Sequence, residues 1–168
     1  LDIFEYGLNN GAWTNYSTPL TLGNGTHTIS FWAQDKAGLV RQIDETYKVD
    51  TRAPQVAGSV SGVPGMNGWY ISDVTISASA ADPVPGSGLE ALTYILNGSS
   101  QTTYTSPLTL SNGQHTIQFD AQDFAGLTDT MTQTVKVDTL APSLNITTTL
   151  PSWSKGAITL NGTAGDSG

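Results

Sequence analysis

Apolar and polar residues alternate in short runs along most of this chain. Val74, Ile76, Ala78 and Ala80 share one parity, and Thr75, Ser77 and Ser79 take the other. Leu92, Tyr94 and Leu96 alternate with Thr93 and Ile95, and Ile117, Phe119 and Ala121 alternate with Thr116, Gln118 and Asp120. Val135 and Val137 flank Lys136 in the same way. A period of two with one apolar face predicts antiparallel strands buried on one side. Turn pairs separate the runs at Pro64-Gly65, Asn67-Gly68, Asn97-Gly98, Asn112-Gly113 and Ala125-Gly126. Asn-Gly tolerates the positive φ that tight hairpins need. The pattern predicts strands near 55–61, 72–80, 91–97, 102–106, 107–111, 114–122 and 129–138.

The runs themselves recur. Aligning 1–54 with 89–142, an offset of 88, gives 29 identities in 54 positions without a gap. Tyr16-Ser-Thr-Pro-Leu-Thr-Leu22 falls on Tyr104-Thr-Ser-Pro-Leu-Thr-Leu110. Ala33-Gln-Asp-Lys-Ala-Gly-Leu39 falls on Ala121-Gln-Asp-Phe-Ala-Gly-Leu127. A second stretch, Trp69 to Asp82, matches Trp153 to Asp166 at an offset of 84, which implies a four-residue deletion. Such self-similarity is the signature of a repeat architecture.

The repeats divide the chain into three parts. Residues 1–50 are a unit without its first strands, 51–138 a complete unit, and 139–168 the first strands of a further unit. Thr51-Arg-Ala-Pro54 and Thr139-Leu-Ala-Pro142 are the linkers, where proline suits a short stiff junction. The two partial units are complementary. Gly168 aligns with Gly88 and Leu1 with Leu89, so joining one end to the other regenerates Ser-Gly-Leu and a composite unit of 80 residues. Two arrangements follow: one period of a longer covalent array, or a polymer in which the last strands of one copy complete the first unit of the next.

Composition narrows the function. The net charge is −8 with only six Lys and Arg, so nucleic acid and anionic membranes should repel the chain. There is no cysteine, hence no disulfide, thiolate metal site or cysteine nucleophile. No apolar run approaches the roughly 20 residues of a membrane-spanning helix, and membrane insertion is not expected.

About seven short antiparallel strands per unit fit an all-β, tandem immunoglobulin-like β-sandwich, with a small Greek-key barrel as the competing fold. Tyr94-Ile-Leu-Asn-Gly98, Tyr104-Thr-Ser-Pro-Leu-Thr-Leu110, Asn112-Gly-Gln-His-Thr-Ile117, Ala121-Gln-Asp-Phe-Ala-Gly126 and Val137-Asp-Thr-Leu-Ala-Pro142 resemble bacterial Ig-like repeats of large extracellular and surface proteins. The resemblance covers essentially the whole chain. It implies a fibre, stalk or surface array outside the cell whose partners are copies of itself, head to tail. The alternative is an adhesive or carbohydrate-binding accessory module that meets a cell-surface glycan.

Little in the sequence suggests catalysis, and no enzyme is expected. His27 and His115, the only histidines, occupy equivalent positions and lack a paired constellation, which favours a role in the fold. Asp35 and Asp123 sit where a strand enters a turn and are expected to cap it. Asp50, Asp82 and Asp138 stand at or near junctions and form the candidate calcium set, since calcium gathers carboxylate oxygens. No EF-hand-type loop is present and no cofactor is required. Trp69 and Trp153 recur in the repeat and are expected to pack. Trp13 and Trp32 do not recur, corresponding to Gln101 and Asp120, and are expected on an exposed contact surface or glycan site. Glycosylation sequons occur at Asn15, Asn24, Asn97, Asn145 and Asn161, although turns of this kind use Asn-Gly in any case.

Overall fold

A computed structural model describes residues 1–149 and 152–167. Gly168, whose join to Leu1 the repeat points to, lies outside them. Among the described residues the chain is all-β, with several sheets, no helix and no barrel. The alternation places the strands well. Strands β1 (Ile3–Leu8), β2 (Thr14–Asn15), β3 (Gly25–Gln34) and β4 (Val40–Val49) form one sheet in the order β2-β1-β3-β4. Strands β5 (Gln55–Ser61), β7 (Val74–Ala81) and β10 (Leu108–Leu110) form a three-stranded sheet in the order β10-β7-β5. A five-stranded sheet runs β6 (Trp69–Tyr70), β12 (Thr128–Val137), β11 (Gly113–Asp123), β8 (Leu89–Leu96) and β9 (Thr102–Thr103). Strands β13 (Ser143–Ile146) and β14 (Gly162–Gly165) pair antiparallel.

All seven expected strands of 51–138 are present, two of them shortened to β9 and β10 around Pro107, which has no amide hydrogen for a ladder. Strand β6 was not expected. It pairs parallel to β12, Trp69 opposite Lys136, and the Lys136 ammonium lies 5.8 Å from the Trp69 ring centroid.

The sequence repeat has a structural counterpart. Strands β2, β1, β3 and β4 are the 88-residue equivalents of β9, β8, β11 and β12, in the same order. Asn9 and Asn97 have φ of 51° and 50°, and each side-chain oxygen accepts the N–H of Thr28 or Thr116. Asn24 and Asn112 each accept the N–H and hydroxyl of the linker threonine, Thr51 or Thr139. Tyr6, Tyr16 and Phe31 repeat the edge-to-face ring contacts of Tyr94, Tyr104 and Phe119.

By compactness the chain divides into two units that differ from the repeat boundaries. The first comprises Leu1–Ala57, Ser79–Thr93 and Asp120–Thr130; the second comprises Gly58–Ala78, Tyr94–Phe119 and the described part of Met131–Gly168. In the second unit Val74, Ile76, Leu110, Ile117, Phe119, Val135 and Val137 form the buried core. The Ala78 amide donates to the Tyr104 hydroxyl at 3.1 Å, tying β7 to the turn beyond β9. In the first unit the Val56 amide donates to Asp129 at 2.9 Å, linking β5 to β12. These bonds join the two sheets as a β-sandwich would require.

The sheet of residues 3–49 carries equivalent apolar positions that are more open. Ile29 is buried, yet Tyr47 is exposed where its equivalent Val135 is buried. Tyr16, Leu20, Leu22, Phe31 and Tyr47 line an open apolar cleft. In the second unit the converse holds for the segment after Pro142. Ile158 and Leu160 are 51% and 61% exposed, whereas their equivalents Val74 and Ile76 are both 0% exposed. Trp153 was expected to pack but is 93% exposed. Its equivalent Trp69 is half-buried beside β12.

Candidate functional site

Three carboxylates meet in the first unit where strands end. Asp50 directly follows β4, Asp82 directly follows β7, and Asp123 is the last residue of β11. One oxygen from each lies within 4.8 Å of the others. Each is positioned by its own backbone. Asp123 Oδ1 accepts the N–H groups of Ala125 and Leu127 at 2.9 and 2.8 Å, an Asx-type turn that Gly126 completes at φ 86°. Asp50 Oδ1 accepts the Arg52 N–H at 3.1 Å and its Oδ2 accepts the Ser87 N–H at 2.6 Å. Asp82 Oδ2 accepts the Gly88 N–H at 2.6 Å. The Ser87 and Gly88 amides thus hold two of the carboxylates. A Cβ on Gly86 would stand 2.5 Å from Asp82 Oδ2, so only glycine fits this close approach.

The electrostatics are uneven. The Arg52 amide, then the Ser87 amide and hydroxyl, then the Arg52 guanidinium hold the Asp50 carboxyl below the usual carboxylate value, outweighing its burial. Arg52 spends its Nη2 on the carbonyls of Pro83 and Pro85, at 3.2 and 2.6 Å. Asp123 is 0% exposed and its Oδ2 has no hydrogen-bond partner; Asp82 Oδ1 is also buried and unpartnered. Buried anionic oxygens without donors are costly and call for an explanation. A cleft lined by Lys48, Asp50, Ser87 and Ala125 opens beside them.

Sequence reasoning named Asp50, Asp82 and Asp138 as the calcium set. The structure brings Asp50 and Asp82 together, with Asp123 in the third place. Asp138 is the equivalent of Asp50 one unit later, and it repeats that residue's local bond by accepting the Leu140 N–H at 3.0 Å. Each of the two therefore belongs to its own junction. A signal for Asp123 was present: it continues the core-facing alternation of Ile117, Phe119 and Ala121. Asp82 continues that of Val74, Ile76, Ala78 and Ala80 in the same way.

The other candidates fall as follows. His27 and His115 each donate from Nε2 to a carbonyl four residues earlier, Gly23 or Ser111, both at 2.8 Å. With that tautomer His115 Nδ1 accepts from Asn97 Nδ2 at 3.2 Å. Trp13 and Trp32 line one shallow cleft with Glu5 and Gln42. Glu5, Trp32 and Gln42 are cross-strand neighbours on β1, β3 and β4. Trp13 is exposed and Trp32 half-buried, so Trp32 is less open than its sequence suggested. Among the sequons, Asn15, Asn145 and Asn161 are exposed, whereas the side chains of Asn24 and Asn97 hold turns. No helix of the described residues is long and apolar enough to cross a membrane.

Compared with protein-family models and with curated proteins, the chain finds no match.

Proposed function

We propose that this chain is a structural repeat unit of an extracellular fibre, stalk or surface array, built from Ig-like units that continue head to tail. One observation carries the reading: Tyr47 on the 3–49 sheet, and Ile158 and Leu160 after Pro142, are exposed where their equivalents Val135, Val74 and Ile76 are buried. The equivalent surfaces of 51–138 are the two halves of one core. A sheet face of this kind is unstable in water and a ready template for pairing. The joint between copies is either a continuing polypeptide or strand donation between molecules. Light scattering of the purified chain against concentration tests strand donation: masses rising in steps of 17.6 kDa support it, and a monomer at every concentration counts against it. Electron microscopy of the native material tests the array, which predicts fibres with a two-unit axial repeat.

A second reading has its own support. Trp13 and Trp32 are absent from the repeat pattern yet share one cleft with Glu5 and Gln42. Aromatic faces beside polar side chains suit sugar stacking, so an adhesive or carbohydrate-binding module is the alternative. A glycan array with the chain and with Trp32→Ala decides it: binding that the substitution removes favours the adhesive role.

A further inference from the structure

Asp123 is wholly buried, its Oδ1 is committed to two turn amides, and its Oδ2 has no partner. Asp82 contributes a second buried oxygen without a donor, and Asp50 a third carboxylate within 4.8 Å. Arg52 does not neutralise the group by direct bonding, since its Nη2 is turned to the Pro83 and Pro85 carbonyls. Calcium holds oxygen ligands at about 2.3–2.6 Å, so oxygens on opposite sides of one ion stand about 4.6–5.2 Å apart. The three oxygens, all within 4.8 Å of one another, are close enough for one such ion to bridge.

We propose that Asp50, Asp82 and Asp123 hold a calcium ion at the junction between successive repeat units, and that the head-to-tail joint rebuilds the same site from Asp138 and Asp166 of one copy and Asp35 of the next. The second half rests on the head-to-tail reading above. The repeat register supplies it: Asp138 is Asp50 plus 88, Asp166 is Asp82 plus 84, and Asp35 is Asp123 minus 88. Asp35 is already shaped for the task, because its Oδ1 accepts the Ala37 and Leu39 N–H groups at 2.8 and 2.9 Å, as Asp123 does. Asp138 accepts the Leu140 amide as Asp50 accepts that of Arg52. Ser-Gly follows Asp166 as Ser87-Gly88 follows the Asp82 loop.

The two junctions differ in one correlated way. Arg52 is replaced by Leu140, and the segment Pro83 to Gly86, whose carbonyls Arg52 holds, has no counterpart between Asp166 and Ser167. Clamp and clamped loop are lost together. The rebuilt site therefore carries three carboxylates without the Arg52 clamp, and it depends on the cation more strongly than the first. Calcium becomes the regulator of the joint, and a second copy of this chain becomes the partner that completes the site.

Calcium stoichiometry separates the parts of the proposal. The expected result is one ion per chain in the monomeric fraction, three per covalent tandem of two copies, and two per tandem carrying Asp35→Asn in the second copy. Asparagine keeps the Oδ1 that caps the turn and removes only the charge. Asp123→Asn in the single chain should abolish the calcium-induced rise in Tm while leaving the Tm in EGTA at or above wild type. A single chain that binds no calcium, with a Tm indifferent to EGTA, overturns the first site. A tandem that binds only two ions, while the amides of 143–146 and 162–165 gain protection from hydrogen exchange, overturns the composite site and leaves the head-to-tail reading standing. Absence of that protection in the tandem overturns the head-to-tail reading itself, and the composite site with it.

Discussion

Asp123 has two separable tasks, one for each oxygen. Oδ1 holds the Ala125 and Leu127 amides, and Oδ2 faces the carboxylate cluster without a donor. Asp123→Ala leaves two amides without their acceptor and should cost about 2–4 kcal/mol of unfolding free energy. Asp123→Asn retains the acceptor and relieves repulsion, so in chelator it should be neutral or stabilising. Urea denaturation of the two variants in EGTA checks the contrast; equal losses would mean that the charge, not the turn, is what stabilises. His115 is simpler. It bridges the Ser111 carbonyl and the Asn97 amide, half-buried at a strand start. His115→Ala should cost about 1 kcal/mol, measured by the same denaturation.

At the level of elements, the same strand sequence meets two environments. Tyr104 accepts the Ala78 amide at 3.1 Å and its ring stands edge-on to Phe119. Tyr16 makes the equivalent ring contact with Phe31, and among the described residues no hydrogen bond joins its hydroxyl to a strand equivalent to β7. Tyr104→Phe should therefore cost about 1 kcal/mol, the value of one hydrogen bond, and Tyr16→Phe close to nothing. Phe119→Ala should cost about 3–5 kcal/mol, as expected for a fully buried aromatic, and Phe31→Ala clearly less. Thermal melts of the four variants test both pairs. This asymmetry also marks the limit of what sequence could reveal. Alternation located the strands of 51–138 because burial on one face imposes it directly. Asn67-Gly68 and Asn97-Gly98 were legible as turns because both residues of each pair take positive φ. Strand β6 was missed because two residues cannot display a period. The carboxylate site was only half legible. Asp82 and Asp123 lie on core-facing parities, where a charge is anomalous, but their meeting with Asp50 depends on which strand ends the fold brings together. Linear proximity to the linker pointed instead to Asp138, the same position one unit on.

For the whole molecule, the head-to-tail proposal rests on apolar side chains that are exposed where their equivalents in 51–138 are buried together. Ile158 and Leu160 are half-exposed or more, and covering them as Val74 and Ile76 are covered would contribute about 1.5–3 kcal/mol for each fully buried side chain. The opposing face, with Leu22, Phe31 and Tyr47, gains at the same moment. Against this stands the loss of rotational and translational freedom, of order 4–15 kcal/mol, so apolar cover alone gives a joint of modest strength between separate molecules. A carboxylate placed in that cover tests it sharply, because a buried unpaired charge is far costlier than a lost methyl group. Leu160→Asp should abolish concentration-dependent association in sedimentation equilibrium while the melting transition of 51–138 stays where it is, since Leu160 is no part of that core. Ile76→Asp should do the reverse at the level of folding and unfold 51–138 outright. If Leu160→Asp associates as readily as wild type, the segment after Pro142 does not form the joint, and the contact between copies must lie on another surface.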